Sequence, residues 1–390
     1  MSVAQGSASG FIKKVWRWRN RTAFVSALLL ALSSVVSAHG GGETTGGLSR
    51  WHGAVLVAVG VASVAILVAL RRRGTVSARI ALYGVLSGVF VSAIGVVLFD
   101  GLSPDPTYTA STMPFPRSWY PYIGASVGGL IASLSLTVGW FRWQDSPRYT
   151  ALGILMGAWV SYPYLIPGGR GYSNPLGYFL VLITPVAVGY IVYKDASGIL
   201  LESLKDKVAR RFALGIGSVV AFFFVSMTGY LTFFPEEGVP RELTIAVLPA
   251  VYQIVSWPTL EIYVPDVPFF VAASPGQIIL VGTISVLVGL NAAVVGYSWR
   301  VGESAGLVQG TGGSATVFGA CTCGCCGPFA AKVAVVALGS GVAAPLYWLF
   351  VDSASPFTTL LTVGAIGMFA FGLVYSARRV TVLGEGAQEG

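Results

Sequence analysis

Apolar residues run in blocks of about twenty along almost the whole of this chain, and charges gather in the short stretches between them. Wound as a helix, a block of that length crosses the roughly 30 Å of bilayer hydrocarbon. In hydrocarbon every backbone polar group needs an internal partner, so only helices or a closed barrel fit. None of the blocks alternates apolar and polar residues as barrel strands do. Charged residues are 10% of the chain, against about 25% in a soluble domain. That is too little charge to cover a water-soluble body of 390 residues. The expected fold class is therefore all-α, a polytopic helical membrane bundle embedded in the lipid bilayer. A soluble enzyme, a collagen-like chain and a disulfide scaffold are excluded.

Ten transmembrane helices are expected, at about 22–38, 52–70, 77–99, 120–141, 149–166, 176–193, 212–234, 276–298, 328–350 and 357–377. The first block follows a basic start and ends in Val36, Ser37 and Ala38, which also fits a signal peptide cleaved after Ala38. Nine helices would then remain, and the mature chain would begin at His39. The expected units are 1–38, helices two to six in 39–193, a cytoplasmic loop 194–211, and 212–377 with an outer loop at 235–275. A tail follows at 378–390. The loop 194–211 permits a short amphipathic surface helix.

Basic residues set the orientation. With the N-terminus inside, nineteen of the 24 Lys and Arg fall on the inner side, including Arg71, Arg72, Arg73, Arg79, Arg148, Arg210, Arg211, Arg300 and Arg378. Four fall outside, and Lys332 lies within a helix. Such a bias predicts a cell-membrane protein with both precursor termini cytoplasmic. The net charge of +8 then reflects topology and contact with anionic headgroups rather than nucleic acid. The short apolar stretch 243–257 contains Pro249 and is followed by Pro258, so it is expected to lie on the surface or re-enter rather than cross. Trp257, Tyr263, Phe269 and Phe270 around it suit an interfacial cap.

All four cysteines, Cys321, Cys323, Cys325 and Cys326, lie within six residues, in ACTCGCCGPF. Thiolates select soft ions such as Cu(I), and C-x-C-x-C-C matches neither the paired spacing of structural zinc sites nor a standard iron–sulfur pattern. The run is expected on the inner side or within a broken, re-entrant half-helix. A helix opening near Pro328 would favour the thiolates of Cys325 and Cys326. CCGP before an apolar helix resembles the vicinal cysteine pair of the small mercury-transport membrane proteins, over this one segment. Tight helix packing and lipidation are the alternatives for these cysteines. Lys332, four residues beyond Pro328, is expected to snorkel to the inner surface or to tune the thiols.

The only histidines are His39 and His52, both expected at the outer edge. Residues 38–43, AHGGGE, resemble the start of the mature copper-binding subunits of particulate methane and ammonia monooxygenases and of periplasmic copper-resistance proteins. The resemblance implies copper held by the amine and ring of His39, with His52 as a third nitrogen. It stops there, because the chain lacks the further histidines and the cupredoxin-like domain of those proteins. Two histidines at one edge also exclude bis-histidine haem at membrane depth. No P-loop, dinucleotide fingerprint, HExxH or catalytic triad is present.

Two functions compete. One is transport or handling of a soft metal ion, copper as the cofactor or cargo, collected near His39 and His52 and passed to the cysteines. The other is a non-catalytic anchor or accessory subunit of a respiratory or copper-enzyme complex, docked to other membrane or redox subunits by its outer loop. An integral-membrane enzyme is the weakest reading, because acid–base groups are scarce at membrane depth.

Overall fold

The computed structural model describes residues 49–103, 113–166, 172–233, 242–252, 254–264, 269–304, 326–352 and 355–386. Helix α1 is Arg50–Arg72, α2 Ala78–Gly101, α3 Tyr120–Arg142, α4 Pro147–Leu165, α5 Pro175–Lys205 and α6 Lys207–Met227. Four strands follow: β1 Leu231–Thr232, β2 Thr244–Tyr252, β3 Val255–Val264 and β4 Phe269–Ala273. The chain continues as α7 Pro275–Ser304, α8 Cys326–Leu338, α9 Ser340–Phe350 and α10 Pro356–Gly386. This is the helical bundle expected. Among the described residues seven helices are long and apolar enough to cross a membrane, α4 and the short α8 and α9 not among them. The block 22–38 lies outside the described residues.

Local chemistry sets the helix starts. Helices α4, α5, α7 and α10 each begin on proline, at Pro147, Pro175, Pro275 and Pro356, where the missing N–H costs nothing. Ser or Asn precedes each of them. Asn174 accepts from the Leu176 amide at 2.9 Å, and Ser274 from the Gln277 amide at 3.2 Å. Asp206 caps α6 through the amides of Val208 and Ala209 at 2.9 and 2.8 Å. Residues 194–211, expected as a loop, are therefore the ends of two long helices joined at Asp206.

Glycines let neighbouring helices meet backbone to backbone. A Cβ on Gly128 would lie 2.5 Å from the carbonyl of Gly157, and one on Gly157 would lie 2.5 Å from that of Gly128. Gly53 and Gly95 hold α1 against α2 in the same way. Helix α7 is the most enclosed of the spans. There Asn291, 2% exposed, donates to the Leu287 carbonyl of its own helix and to Phe369 of α10 at 3.0 Å. It is a tie between two helices.

The bundle has two chemically distinct ends. At one, Arg71 donates to the Trp299 carbonyl at 2.8 Å and Arg300 pairs with Asp206 at 3.3 Å. At the same end Arg148 holds both oxygens of Asp195, at 2.8 and 2.6 Å. The Tyr149 hydroxyl donates to Asp195 at 2.8 Å, and Arg378 reaches Tyr149 at 3.2 Å. Among the described residues, these basic residues expected together thus share one end.

The sheet occupies the other end, in the order β1-β4-β3-β2 with every pair antiparallel. It replaces the surface-lying or re-entrant segment expected at 243–257. Pro249 stands opposite Pro258. Neither has an N–H, so this is a non-hydrogen-bonded pair, and Pro249 leaves its missing donor at the outer edge of β2, the last strand among the described residues, where edge strands tolerate proline. Trp257 and Tyr263, expected in the membrane interface, are each 9% exposed. Trp257 packs edge-on against Tyr178 at 4.9 Å and covers Gly276, and Val255 covers Gly177. One face of the sheet is thereby fastened to the first turns of α5 and α7.

The run 328–350, expected as a single span, is broken. Gly339 adopts φ 87°, a conformation that suits glycine, and α8 and α9 fold back on each other around it. Ala334 and Val335 pack against Ala343 and Leu346. At 13 and 11 residues the arms reach only about 20 and 16 Å, too short to cross.

Candidate functional site

Of the residues expected to carry chemistry, His39, Cys321, Cys323 and Cys325 lie outside the described residues. His52, Lys332 and the backbone of Cys326 are described. Lys332 lies at the sheet end, not at the basic end where it was expected to snorkel. Its ammonium donates to the carbonyl of Asp100, the penultimate residue of α2, at 2.9 Å and sits 3.4 Å from the Asp100 carboxylate. Both side chains are about one-fifth exposed. The pairing answers the desolvation cost of a cation within an apolar hairpin. No local sequence signal names Asp100 as the partner, because the two residues are 232 positions apart.

The second arm of the hairpin reaches the same end. Asp352, two residues past α9, pairs with Arg117 at 3.4 Å, and Arg117 precedes α3. Arg117 also lies over the Trp348 ring, and Phe115 stacks on Phe357. Counting 13 residues each way from Gly339 sets Cys326 opposite Asp352. The start of α8 therefore belongs to the sheet end, while the rest of the cysteine run lies outside the described residues. Pro328 lies in the first turn of α8.

His52 shares that end. Its neighbour Gly53 packs on Phe99 and Gly95, near the end of α2 that carries Asp100. The Nδ1 atom lies 3.0 Å from the amide and hydroxyl of Ser49 and 3.2 Å from the Ser49 carbonyl, closing the first turn of α1. Nε2 is the ring nitrogen left open. Because the Ser49 amide donates to Nδ1, that nitrogen carries the lone pair and Nε2 carries the proton in the neutral ring. Among the described residues no group of three or more His, Cys, Asp or Glu side chains could hold a metal ion. His52 and the backbone of Cys326 thus share an end of the bundle.

The same end carries an apolar sheet face. The side chains opposite the packed one are Ile245, Val247, Pro249 and Val251 on β2, with Pro258, Leu260 and Ile262 facing them on β3. Ile245 and Val247 are 63% and 64% exposed. The surface falls within the outer loop 235–275 expected to dock a partner, but the strands themselves went unread because both faces are largely apolar and the stretch read as one hydrophobic run. Deeper in the bundle, an apolar groove of about 270 Å³ lies between α5 and α7, beside Pro185, Gly189, Gly282 and Leu290. It holds no titratable group and suits hydrocarbon.

Comparison with protein-family models, with curated proteins and with solved structures finds no significant match for this chain.

Proposed function

We propose that this chain is a multi-pass membrane subunit that holds a partner protein against its sheet end, with the basic end in the cytoplasm. The observation that carries this reading is the apolar face of β2 and β3. Among the described residues no strand pairs with the outer edge of β2, and an unpaired edge is not stable in hydrocarbon. The sheet therefore stands beyond the hydrocarbon, and lipid tails do not cover it. A contiguous apolar surface facing water is the mark of a protein interface. The prolines favour docking on the face over strand addition at the edge, since Pro249 removes the donor at the centre of the edge.

The test is the size of the complex extracted in mild detergent from its native membrane. Wild type is expected to migrate as a larger assembly, and Val247→Asp with Leu260→Asp as the isolated chain with an unchanged folding transition. Wild type and variant of equal size would overturn the reading. A second reading, soft-metal handling, draws on the placement of His52 and Cys326 at one end. It takes copper at that end, with Cys321, Cys323, Cys325 and His39 contributing from the adjoining segments and Lys332 nearby. Metal content after anaerobic loading with Cu(I), in wild type and in Cys325→Ser with Cys326→Ser, distinguishes the two.

A further inference from the structure

We infer that the corner formed by Arg72, Arg73, Arg79, Arg210 and Arg211 is a docking surface for the phosphate headgroups of anionic lipids. Three helix ends meet there. Helix α1 ends at Arg72, α2 begins at Ala78, and α6 begins at Lys207. Helices α2 and α6 run in parallel and in step, because Leu86 fills the space beside Gly215. The first turns of the two helices therefore lie at one level, with Ala78, Leu82 and Ala209 fully buried. Gly74, at φ 73°, turns the chain between Arg73 and Arg79. Arg71 fastens this turn to α7 through the Trp299 carbonyl.

All five arginines are exposed, and among the described residues none of them pairs with a carboxylate. Among the described residues the nearby acids are already engaged. Asp206 caps α6 and pairs with Arg300, Glu202 accepts from Tyr297, and Asp195 is held by Arg148. The corner thus presents guanidinium groups in excess. Each guanidinium offers a planar fork of N–H donors that fits phosphate oxygens.

Apolar side chains on the same helices separate a lipid from a soluble polyanion. Leu214, 66% exposed, lies three and four residues beyond Arg211 and Arg210, on their face of α6. Ile80 and Ile66, each 58% exposed, accompany the arginines of α2 and α1. Cations at the rim with exposed aliphatic chains beneath them match the two ends of a phospholipid. A nucleic acid or a free phosphate would use only the first.

The experiment uses the full chain in bilayer discs of equal parts phosphatidylcholine and phosphatidylglycerol, with lipids retained after detergent extraction counted by native mass spectrometry. Wild type is expected to retain phosphatidylglycerol selectively. Replacing Arg72, Arg73, Arg210 and Arg211 by Gln should lower that preference by about fivefold for each arginine removed. A control removes three charges elsewhere at this end, as Arg142→Gln, Lys194→Gln and Lys205→Gln, and should keep most of the preference. If the first variant fails to fold, Arg73→Gln and Arg211→Gln alone should each show a loss of about fivefold. Wild type without a preference, or equal losses in corner and control variants, would overturn the assignment.

Discussion

Replacing Asp195 by Asn should loosen the basic end, because this carboxylate is where α4, α5 and α10 are joined. Its side chain is 7% exposed, and it accepts two hydrogen bonds from Arg148 and one from Tyr149. Hydrogen bonds to charged groups contribute about 1.5–3 kcal/mol each, and removing one partner of a buried ion pair costs about 3–5 kcal/mol. Arg148 is 25% exposed, so water recovers part of that loss when its acceptor goes. Arg378, 60% exposed, adds little in screened solvent. The expected destabilisation is about 2–4 kcal/mol. Reversible unfolding in mixed micelles, titrated with sodium dodecyl sulfate, would measure it, and Arg148→Met completes a double-mutant cycle. The coupling between the two positions should exceed about 1 kcal/mol. Additivity within about 0.5 kcal/mol, with neither single variant much below wild type, would refute the idea that this pair joins the three helices.

Adjacent glycines on α3 give an internal contrast. Gly128→Val drives side-chain atoms into the Gly157 backbone and should cost at least about 2 kcal/mol, whereas Gly129, which has nothing within 4 Å of a Cβ, should accept Val within about 0.5 kcal/mol. The unfolding titration used for Asp195 measures both. For the hairpin, a chain keeping Cys326 as its one thiol should be labelled by an impermeant maleimide from the side that labels a cysteine placed at Val247. Labelling from the side that reaches a cysteine placed at Arg210 would show that α8 starts at the basic end and that the hairpin has been misread.

The sequence alone determined the class of fold. Long apolar blocks with few charges leave no alternative to membrane helices, because the backbone must satisfy itself wherever water is absent. Several helix starts were also legible, since Ser or Asn followed by Pro at 146–147, 174–175, 274–275 and 355–356 combines a cap with a pre-set first residue. The clustering of arginines at one end followed from their spacing along the chain. Tertiary structure decided the rest. Residues 244–252 and 255–264 form strands, yet their periodicity is hidden, because one face packs on α5 and α7 and the other is apolar as well. The run 328–350 has the composition of a span, and only the turn at Gly339 with the ties to Asp100 and Arg117 makes it a hairpin. Those partners are set by which helices become neighbours in three dimensions. Hydrophobicity read along one dimension reports how much of a segment avoids water, but not which way the chain turns or what charge waits at the other end.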